Sequence, residues 1–160
     1  MHRPVESPRR LRAALFAAGL VTAATFGTTT IAAAQSPDGK VVFSTTCAAC
    51  HQATGEGVEG TYPPLAGSEL ANGDEAKLIR IVLHGLTGPV EVAGETYSGM
   101  MPPWGGILKD ADVAAVLTYV RSAWGNKAAP VTAAKVAAIR AATASRTTPW
   151  TAAELAAIKP

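Results

Sequence analysis

The sequence predicts an all-α fold, and three observations support that prediction. Apolar residues recur at helical spacing in two segments, Asp74 to His84 and Lys109 to Trp124. A third segment, Asp38 to His51, begins with a residue type that commonly caps helices. Only residues 88–99 suggest a short hairpin, with Gly94-Glu95 as its turn. The 160 residues are enough for one domain.

Residues 1–34 are predicted to be a secretory signal peptide. Four arginines within the first twelve residues precede a mostly apolar run from Ala13 to Gly27, and Ala32-Ala33-Ala34 fits the small-residue cleavage rule. We therefore expect cleavage near Ala34 and a periplasmic protein with no stable membrane insertion. The alternative is an uncleaved anchor, because Ala13 to Ala34 is long enough to span a bilayer.

Without this leader the charge of the chain changes sign. Residues 35–160 contain ten basic and eleven acidic side chains, a net charge of −1. The charge is unevenly distributed: residues 38–112 carry four basic and ten acidic groups, and residues 113–160 carry six basic groups and one acidic group. This balance does not indicate a nucleic-acid-binding protein.

The first helix and the loop after it have distinct local signals. Asp38 is the expected N-cap, since its carboxylate can accept from a free backbone N–H group. Gly39 and Phe43 lie four residues apart, so the glycine would let another helix approach closely beside the aromatic ring. Residues 54–68 are predicted to be a loop, because glycines and Pro63-Pro64 interrupt them.

The two amphipathic helices also have predicted limits. The helix from Asp74 stops at Gly85, a residue type that favours left-handed backbone after a helix. The helix from Lys109 has acidic residues in its first turn, where the helix dipole favours negative charge, and ends at Gly125-Asn126. Its buried stripe is predicted to consist of Val113, Val116, Leu117 and Val120, joined by Tyr119 and Trp124.

Residues 127–160 are predicted to form an alanine-rich helical tail. Helix resumes at Thr132 and continues to about Ala144. Thr151 and Glu154 have the spacing of a capping box, which starts one last short helix. Because the apolar positions of the tail are mostly alanine, we expect the tail to lie on the surface of the domain or to be mobile.

The segment Cys47-Ala48-Ala49-Cys50-His51 has the C-x-x-C-H pattern of c-type haem attachment. Cysteines at i and i+3 of a helical turn point the same way, so both can form thioethers with the haem vinyl groups while the histidine presents a ring nitrogen to the iron. Cys47 and Cys50 are therefore predicted to hold one haem c covalently, with His51 as an axial ligand. The alternatives are a disulfide, a redox dithiol or half of a zinc site. A zinc site would need two more soft ligands, and the chain has no other cysteine and only three histidines.

The second axial position has three candidates: Met101, Met100 and His84. Met101 is favoured because it precedes Pro102, whose fixed φ stiffens the loop where a sulfur would be held. Met100 has no such support, and His84 at a helix end more often caps the helix or lies at the surface.

Pro64 and Leu65 are the remaining predicted cofactor contacts. Proline keeps its carbonyl, and that of Pro63 or of Pro64 is expected to accept a hydrogen bond from the second ring nitrogen of His51 and fix its orientation. Leu65 would then pack on the haem ring.

These residues together resemble class I c-type cytochromes. The similar order is Gly39-x-x-x-Phe43-x-x-x-Cys47-x-x-Cys50-His51, Pro63-Pro64-Leu65, Met101-Pro102 and then an amphipathic helix with Tyr119 and Trp124. The resemblance implies that residues 35–126 form a cytochrome c domain, a helical fold cupping one haem, whose first and last core helices cross through Gly39 and Phe43. It also implies low-spin iron with His51 and Met101 as ligands, and electron transfer. Weaker similarity, which includes the tail, points to cytochrome subunits that serve periplasmic dehydrogenases or copper nitrite reductases.

We therefore expect an electron carrier rather than an enzyme, moving electrons from a dehydrogenase or other donor to a downstream acceptor. Its partners would be redox proteins: a periplasmic dehydrogenase, a reductase or a terminal oxidase. One alternative is a haem enzyme or gas-binding protein with a labile sixth ligand, which needs distal acid–base groups; Arg80 and His84 are the candidates. Another is a fixed subunit of a dehydrogenase complex, docked through residues 128–160.

Overall fold

The computed structural model describes residues 36–158, so the predicted signal peptide lies outside the described residues. The prediction of an all-α fold is confirmed for this part of the chain, where helices predominate over a few very short strands. The helices are α1 Gly39–Thr46, α2 Ala48–His51, α3 Glu69–Asn72, α4 Glu75–His84, α5 Asp110–Val120, α6 Ala133–Ala142 and α7 Ala152–Ala157. The strands are β1 Leu86–Thr87, β2 Val90–Val92, β3 Glu95–Tyr97 and β4 Met100–Met101. Within residues 36–158, no helix has both the length and the apolar character needed to cross a membrane.

The helices begin where their caps predict. The Asp38 carboxylate accepts from the backbone N–H of Lys40 at 2.8 Å, and that of Asp74 accepts from Ala76 at 2.8 Å. The predicted first helix is divided into α1 and α2 at Cys47, although the Cys47 N–H still bonds to the Phe43 carbonyl at 2.8 Å.

The crossing of α1 and α5 forms the centre of the fold. A Cβ added at Gly39 would overlap the backbone carbonyl oxygen of Ala115 and lie 2.9 Å from the Tyr119 Cβ, so the helices touch backbone to backbone. Phe43 is 1% exposed, and its ring lies 5.5 Å from that of Tyr119 and 5.0 Å from that of Trp124. The predicted crossing at Gly39 and Phe43 is present.

Helix α5 is shorter than the sequence predicts. It ends at Val120 rather than Trp124, and Trp124 and Gly125 have φ values of 52° and 85°. The predicted stripe of Val113, Val116, Leu117 and Val120 is buried, as expected. The left-handed backbone at Trp124 turns the chain, while its ring packs against Phe43 and Tyr119.

The tail is not a loose surface element, and that expectation was wrong. Val136, Ile139 and Leu155 are 0%, 6% and 5% exposed, and Val136 and Ile139 belong to the main core. Helix α6 packs against both α4 and α5. A few bulky residues at helical spacing bury the inner face of α6, and the alanines allow close packing.

Two small antiparallel ladders join the helices. Strands β2 and β3 form the expected hairpin, but its turn is Ala93-Gly94, with φ values of 52° and 80°, rather than Gly94-Glu95. Strand β1 pairs with β4, placing Leu86 opposite Met101, and on its other edge Leu86 forms a parallel bridge with Trp150 of the tail.

Candidate functional site

A cleft with two lobes opens between the cysteine motif and the segment around Met101. Each lobe contains about 700 Å³ of space between and outside the protein atoms (710 and 680 Å³), a figure that includes the solvent at its opening. The outer lobe reaches the exposed side chains of Met100 and Tyr62, and eight of the seventeen residues that line the inner lobe lie in α3, α4 and α5. Residues that line both lobes are Cys47, His51, Pro63, Leu86 and Met101.

The two cysteines lie at this cleft as half-buried free thiols, not as a disulfide. Burial, and then the neighbouring Cys50, raises the pKa of the Cys47 thiol to about 11. This shift is opposite to the lowered pKa values of reactive redox cysteines.

His51 ends α2 and is 9% exposed. Its Nδ1–H donates to the Pro63 carbonyl at 2.9 Å, because a carbonyl oxygen can only accept. Burial lowers the pKa of His51 against the opposing effect of this bond. The ring is therefore held as a neutral imidazole whose Nε2 keeps its lone pair, the form that binds metal ions.

The adjacent methionines have different surroundings. Met101 is half-buried, lines both lobes and packs against the core. Met100 is 68% exposed and lines only the outer lobe. The alternation of side chains along β4 explains the difference.

Pro64 and Leu65 line the inner lobe, as does Met101. The sequence did not decide between Pro63 and Pro64 as the partner of His51; the structure gives Pro63. It also brings Leu86 and Trp104 to the cleft, neither of which we predicted. No local signal marks Leu86, which reaches the cleft through its pairing with Met101.

The lining of the cleft is almost free of charge. Among residues 36–158, no aspartate, glutamate, lysine or arginine lines either lobe, and His51 is the only histidine that does so. Tyr97 lines the outer lobe, and its hydroxyl donates to Glu95 at 2.8 Å. This bond, followed by desolvation and the charges of Glu95 and Glu59, raises the pKa of Tyr97.

His84 and Arg80, the candidate distal groups, do not line the cleft. The His84 Nε2 instead lies 2.7 Å from the Thr143 hydroxyl in the tail. Burial, and then the positive charges of Arg146, Arg140 and Arg80, holds the pKa of His84 below its ordinary value.

Asn126 fastens the loop beneath the cleft. Its amide donates to the carbonyls of Leu65 at 2.9 Å and Val120 at 2.7 Å, and its oxygen accepts from Gly67 N–H at 2.9 Å and from Asn72 at 2.7 Å. The residue is 4% exposed. The sequence predicted it only as part of a helix stop, so this role was missed.

This arrangement fits a covalently held haem. A thiol pair one turn apart, an imidazole with one nitrogen already bonded, and a thioether all meet an apolar cleft. Imidazole and thioether are the donors that c-type haem iron uses.

A family model described as Cytochrome c matches residues 36–124. The chain therefore belongs to the cytochrome c family, as a class I c-type cytochrome, and the predicted resemblance is confirmed. The family is one of electron-transfer haem proteins that hold haem c covalently, and Cys47 to His51 fits its attachment motif.

Among similar proteins is cytochrome c-552 of Thermus thermophilus, 42% identical over 93 residues that make up 56% of this chain and 70% of that protein. The gluconate 2-dehydrogenase cytochrome c subunit of Pantoea cypripedii is 40% identical over 106 residues, which are 64% of this chain. The cbb3-type cytochrome c oxidase subunit FixP of Azorhizobium caulinodans is 36% identical over 102 residues, which are 63% of this chain. The match spans only 24% and 33% of the lengths of these two subunits.

Proposed function

We propose that this chain is a single-haem electron carrier in which Cys47 and Cys50 hold the haem covalently and His51 and Met101 are the axial ligands. The observation that carries the proposal is that His51 and Met101, fifty residues apart in the sequence, both line both lobes of one cleft. When bound, haem c supplies one-electron chemistry between ferrous and ferric iron.

The residues of the chain have separable tasks in this proposal. Pro63 fixes the tautomer and orientation of His51 through the 2.9 Å bond to Nδ1. The apolar lining of the inner lobe disfavours water, and a methionine ligand raises the reduction potential.

A haem enzyme or gas-binding protein with an open sixth site is not favoured. Such chemistry needs distal acid–base groups, and in the described part of the chain the cleft contains no charged side chain. The candidates Arg80 and His84 lie elsewhere, with His84 bonded to the tail.

Absorption spectra of the ferric protein test the ligand assignment. We expect the weak sulfur-to-iron band of methionine-ligated haem in the wild type, its loss in Met101→Ala and its retention in the matched variant Met100→Ala. A high-spin ferric spectrum in the wild type, or immediate carbon monoxide binding on reduction, would overturn the carrier proposal.

We further propose that redox partners dock at the mouth of the outer lobe. Met100, Val58 and Tyr62 are apolar or aromatic residues that are 68%, 40% and 38% exposed. Met100 and Tyr62 line the outer lobe, and Val58 forms an antiparallel β-bridge with Tyr62. The two segments around the mouth, residues 54–67 and 86–108, contain four glutamates and no lysine or arginine. The expected partner therefore presents an apolar centre with a basic rim. The donor is a dehydrogenase or another reductant, and the acceptor a reductase or terminal oxidase.

Small redox reagents test this surface without a known partner. We expect the rate of reduction by the hexaammineruthenium(II) cation to fall with added salt, and the rate of oxidation by the ferricyanide anion to rise. Glu59→Gln should weaken both trends, and Glu75→Gln, in α4 and outside the two segments around the mouth, should leave them unchanged. If the two rates change with salt in the opposite directions, the proposal of an acidic surface around the outer lobe is refuted.

We propose a periplasmic location, with the signal peptide removed near Ala34. The support is the basic start and apolar run of residues 1–34. The mass of the protein purified from its host tests this, and retention of residues 1–34 would favour an anchored carrier instead.

A further inference from the structure

We infer that the C-terminal tail braces the methionine segment, defined here as residues 100–109, with Arg140 and Trp150 as the positioning residues that keep Met101 in place. This inference rests on the proposed role of Met101 as an axial ligand. It assigns the tail a task within the cytochrome itself, in place of surface packing or partner docking.

The methionine segment has little hydrogen bonding of its own. Pro102 and Pro103 have no N–H group, and the segment also contains Gly105 and Gly106. Its internal backbone bonds are those from Ile107 and Leu108 N–H to the Trp104 carbonyl. The position of Met101 therefore depends on bonds from other elements.

Arg140 of α6 holds the far end of the segment. Its guanidinium donates to the carbonyls of Gly105 and Leu108, the latter at 2.9 Å, and pairs with Asp110 at 2.7 Å at the start of α5. The planar fork of arginine suits three acceptors at once, which a lysine cannot reproduce.

Trp150 holds the near end through β1. The backbone N–H of Trp150 donates to the Gly85 carbonyl at 3.0 Å, and the backbone carbonyl of Trp150 accepts from Thr87 N–H at 2.8 Å. Strand β1 lies between Trp150 on one edge and β4 on the other, with Leu86 opposite Met101.

Side-chain packing also connects the tail to Met101. Met101 and Trp150 both pack against one small buried cluster, Ile81, Leu86 and Leu155. The Arg146 guanidinium lies 3.6 Å from the centre of the Trp150 ring and pairs with Glu154 of α7 at 2.8 Å, so the indole is itself fixed.

Binding of imidazole to the full-length ferric haem protein tests the brace, because imidazole competes with the methionine sulfur for the iron. If the tail holds Met101 closed, the apparent affinity for imidazole increases in proportion to the population of the open state. We expect Arg140→Ala to bind imidazole roughly tenfold more tightly than the wild type. Trp150→Ala keeps the backbone bonds to Gly85 and Thr87 and removes only the indole from the cluster of Ile81, Leu86 and Leu155, so it should change in the same direction by a smaller factor. Met101→Ala should bind most tightly.

Two controls separate positioning from general destabilisation. Lys135→Ala removes a charge from the same helix and only a partly exposed ion pair with Glu75 at 3.6 Å, so its imidazole affinity should equal that of the wild type. Val136→Ala removes core volume from α6 but keeps the hydrogen bonds of Arg140 to the methionine segment. At equal loss of unfolding free energy, it should tighten imidazole binding less than Arg140→Ala does.

The possible results are distinguishable. Equal imidazole affinity in Arg140→Ala, Trp150→Ala and Lys135→Ala, or equal effects of Val136→Ala and Arg140→Ala, overturns the brace alone. An unchanged affinity in Met101→Ala overturns the axial role of Met101 and the brace with it. If Arg140→Ala does not fold, Arg140→Lys takes its place, and wild-type affinity in that variant also overturns the inference.

Discussion

Replacing Gly39 with alanine should push α1 away from α5. The new methyl group would overlap the backbone carbonyl oxygen of Ala115 and lie 2.9 Å from the Tyr119 Cβ. A backbone carbonyl cannot rotate aside as a flexible side chain does, so the whole helix must shift.

Two opposing effects set the magnitude. Alanine stabilises a helix interior by about 1 kcal/mol relative to glycine, and less at Gly39 because it is the first residue of α1. Overpacking costs roughly 1–3 kcal/mol, and the upper end applies where rigid backbone must move. We therefore expect a net loss of about 2 kcal/mol in the free energy of unfolding, which lowers the urea midpoint by about 1 M for a small domain.

Urea unfolding of the haem protein, followed by circular dichroism, measures this change. Gly106→Ala is the matched control, because a Cβ there meets nothing within 4 Å. We expect its midpoint to equal or exceed that of the wild type. If Gly39→Ala unfolds at the same midpoint as Gly106→Ala, the crossing does not depend on backbone contact, and the reasoning is refuted.

Three further predictions concern the tail, acid stability and the loop beneath the cleft. Val136→Ala should cost about 1–3 kcal/mol of unfolding free energy, since Val136 is fully buried. Val41→Ala, at a 56% exposed site, should cost almost nothing. Equal urea midpoints for the two variants would show that the tail does not belong to the core. Because the pKa of His84 is lowered in the folded state, the unfolded chain takes up the proton more readily and stability falls on acidification from about pH 7 to 5. His84→Gln should flatten that fall, and an unchanged slope would exclude His84 as its source. Asn126→Ala should cost about 2–4 kcal/mol by leaving several buried polar groups without partners, and a midpoint within error of the wild type would contradict this.

The helix starts could be predicted because their signals are local. Asp38 and Asp74 cap within two or three residues, and the buried stripe of α5 follows from periodicity alone. The end of α5 was mispredicted because Trp124 continues the apolar spacing of Val120. Its left-handed backbone is set by packing against Phe43, from the other end of the core.

The features that could not be predicted from the sequence depend on pairing between distant segments. Two-residue strands such as β1 and β4 have no detectable period, so neither the position of Leu86 nor the bridge to Trp150 was predictable. The prediction that the tail lies on the surface or is mobile rested on composition and was also wrong. Alanine-rich sequence suggested weak burial, yet Val136 and Ile139 find a complementary face on the core.

The residues of the site also divide into those that a local motif predicts and those that only the fold places. The motif from Cys47 to His51 lies within five residues, whereas Met101 depends on a proline neighbour and on a fold that brings it to the cleft. The choice between the carbonyls of Pro63 and Pro64 depends on loop conformation, which spacing does not determine.

The contact of α1 with α5 also has a consequence for the order in which the molecule forms. These helices lie near opposite ends of the region matched by the family model, so the contact cannot form until almost all of that region is available. Closing so long a loop is entropically costly, and contacts between distant residues slow folding. Until closure, the Phe43 side of α1 has no partner, and Cys47 and Cys50 beyond it stay accessible. The topology therefore favours thioether formation on an open chain, with closure of the core following attachment.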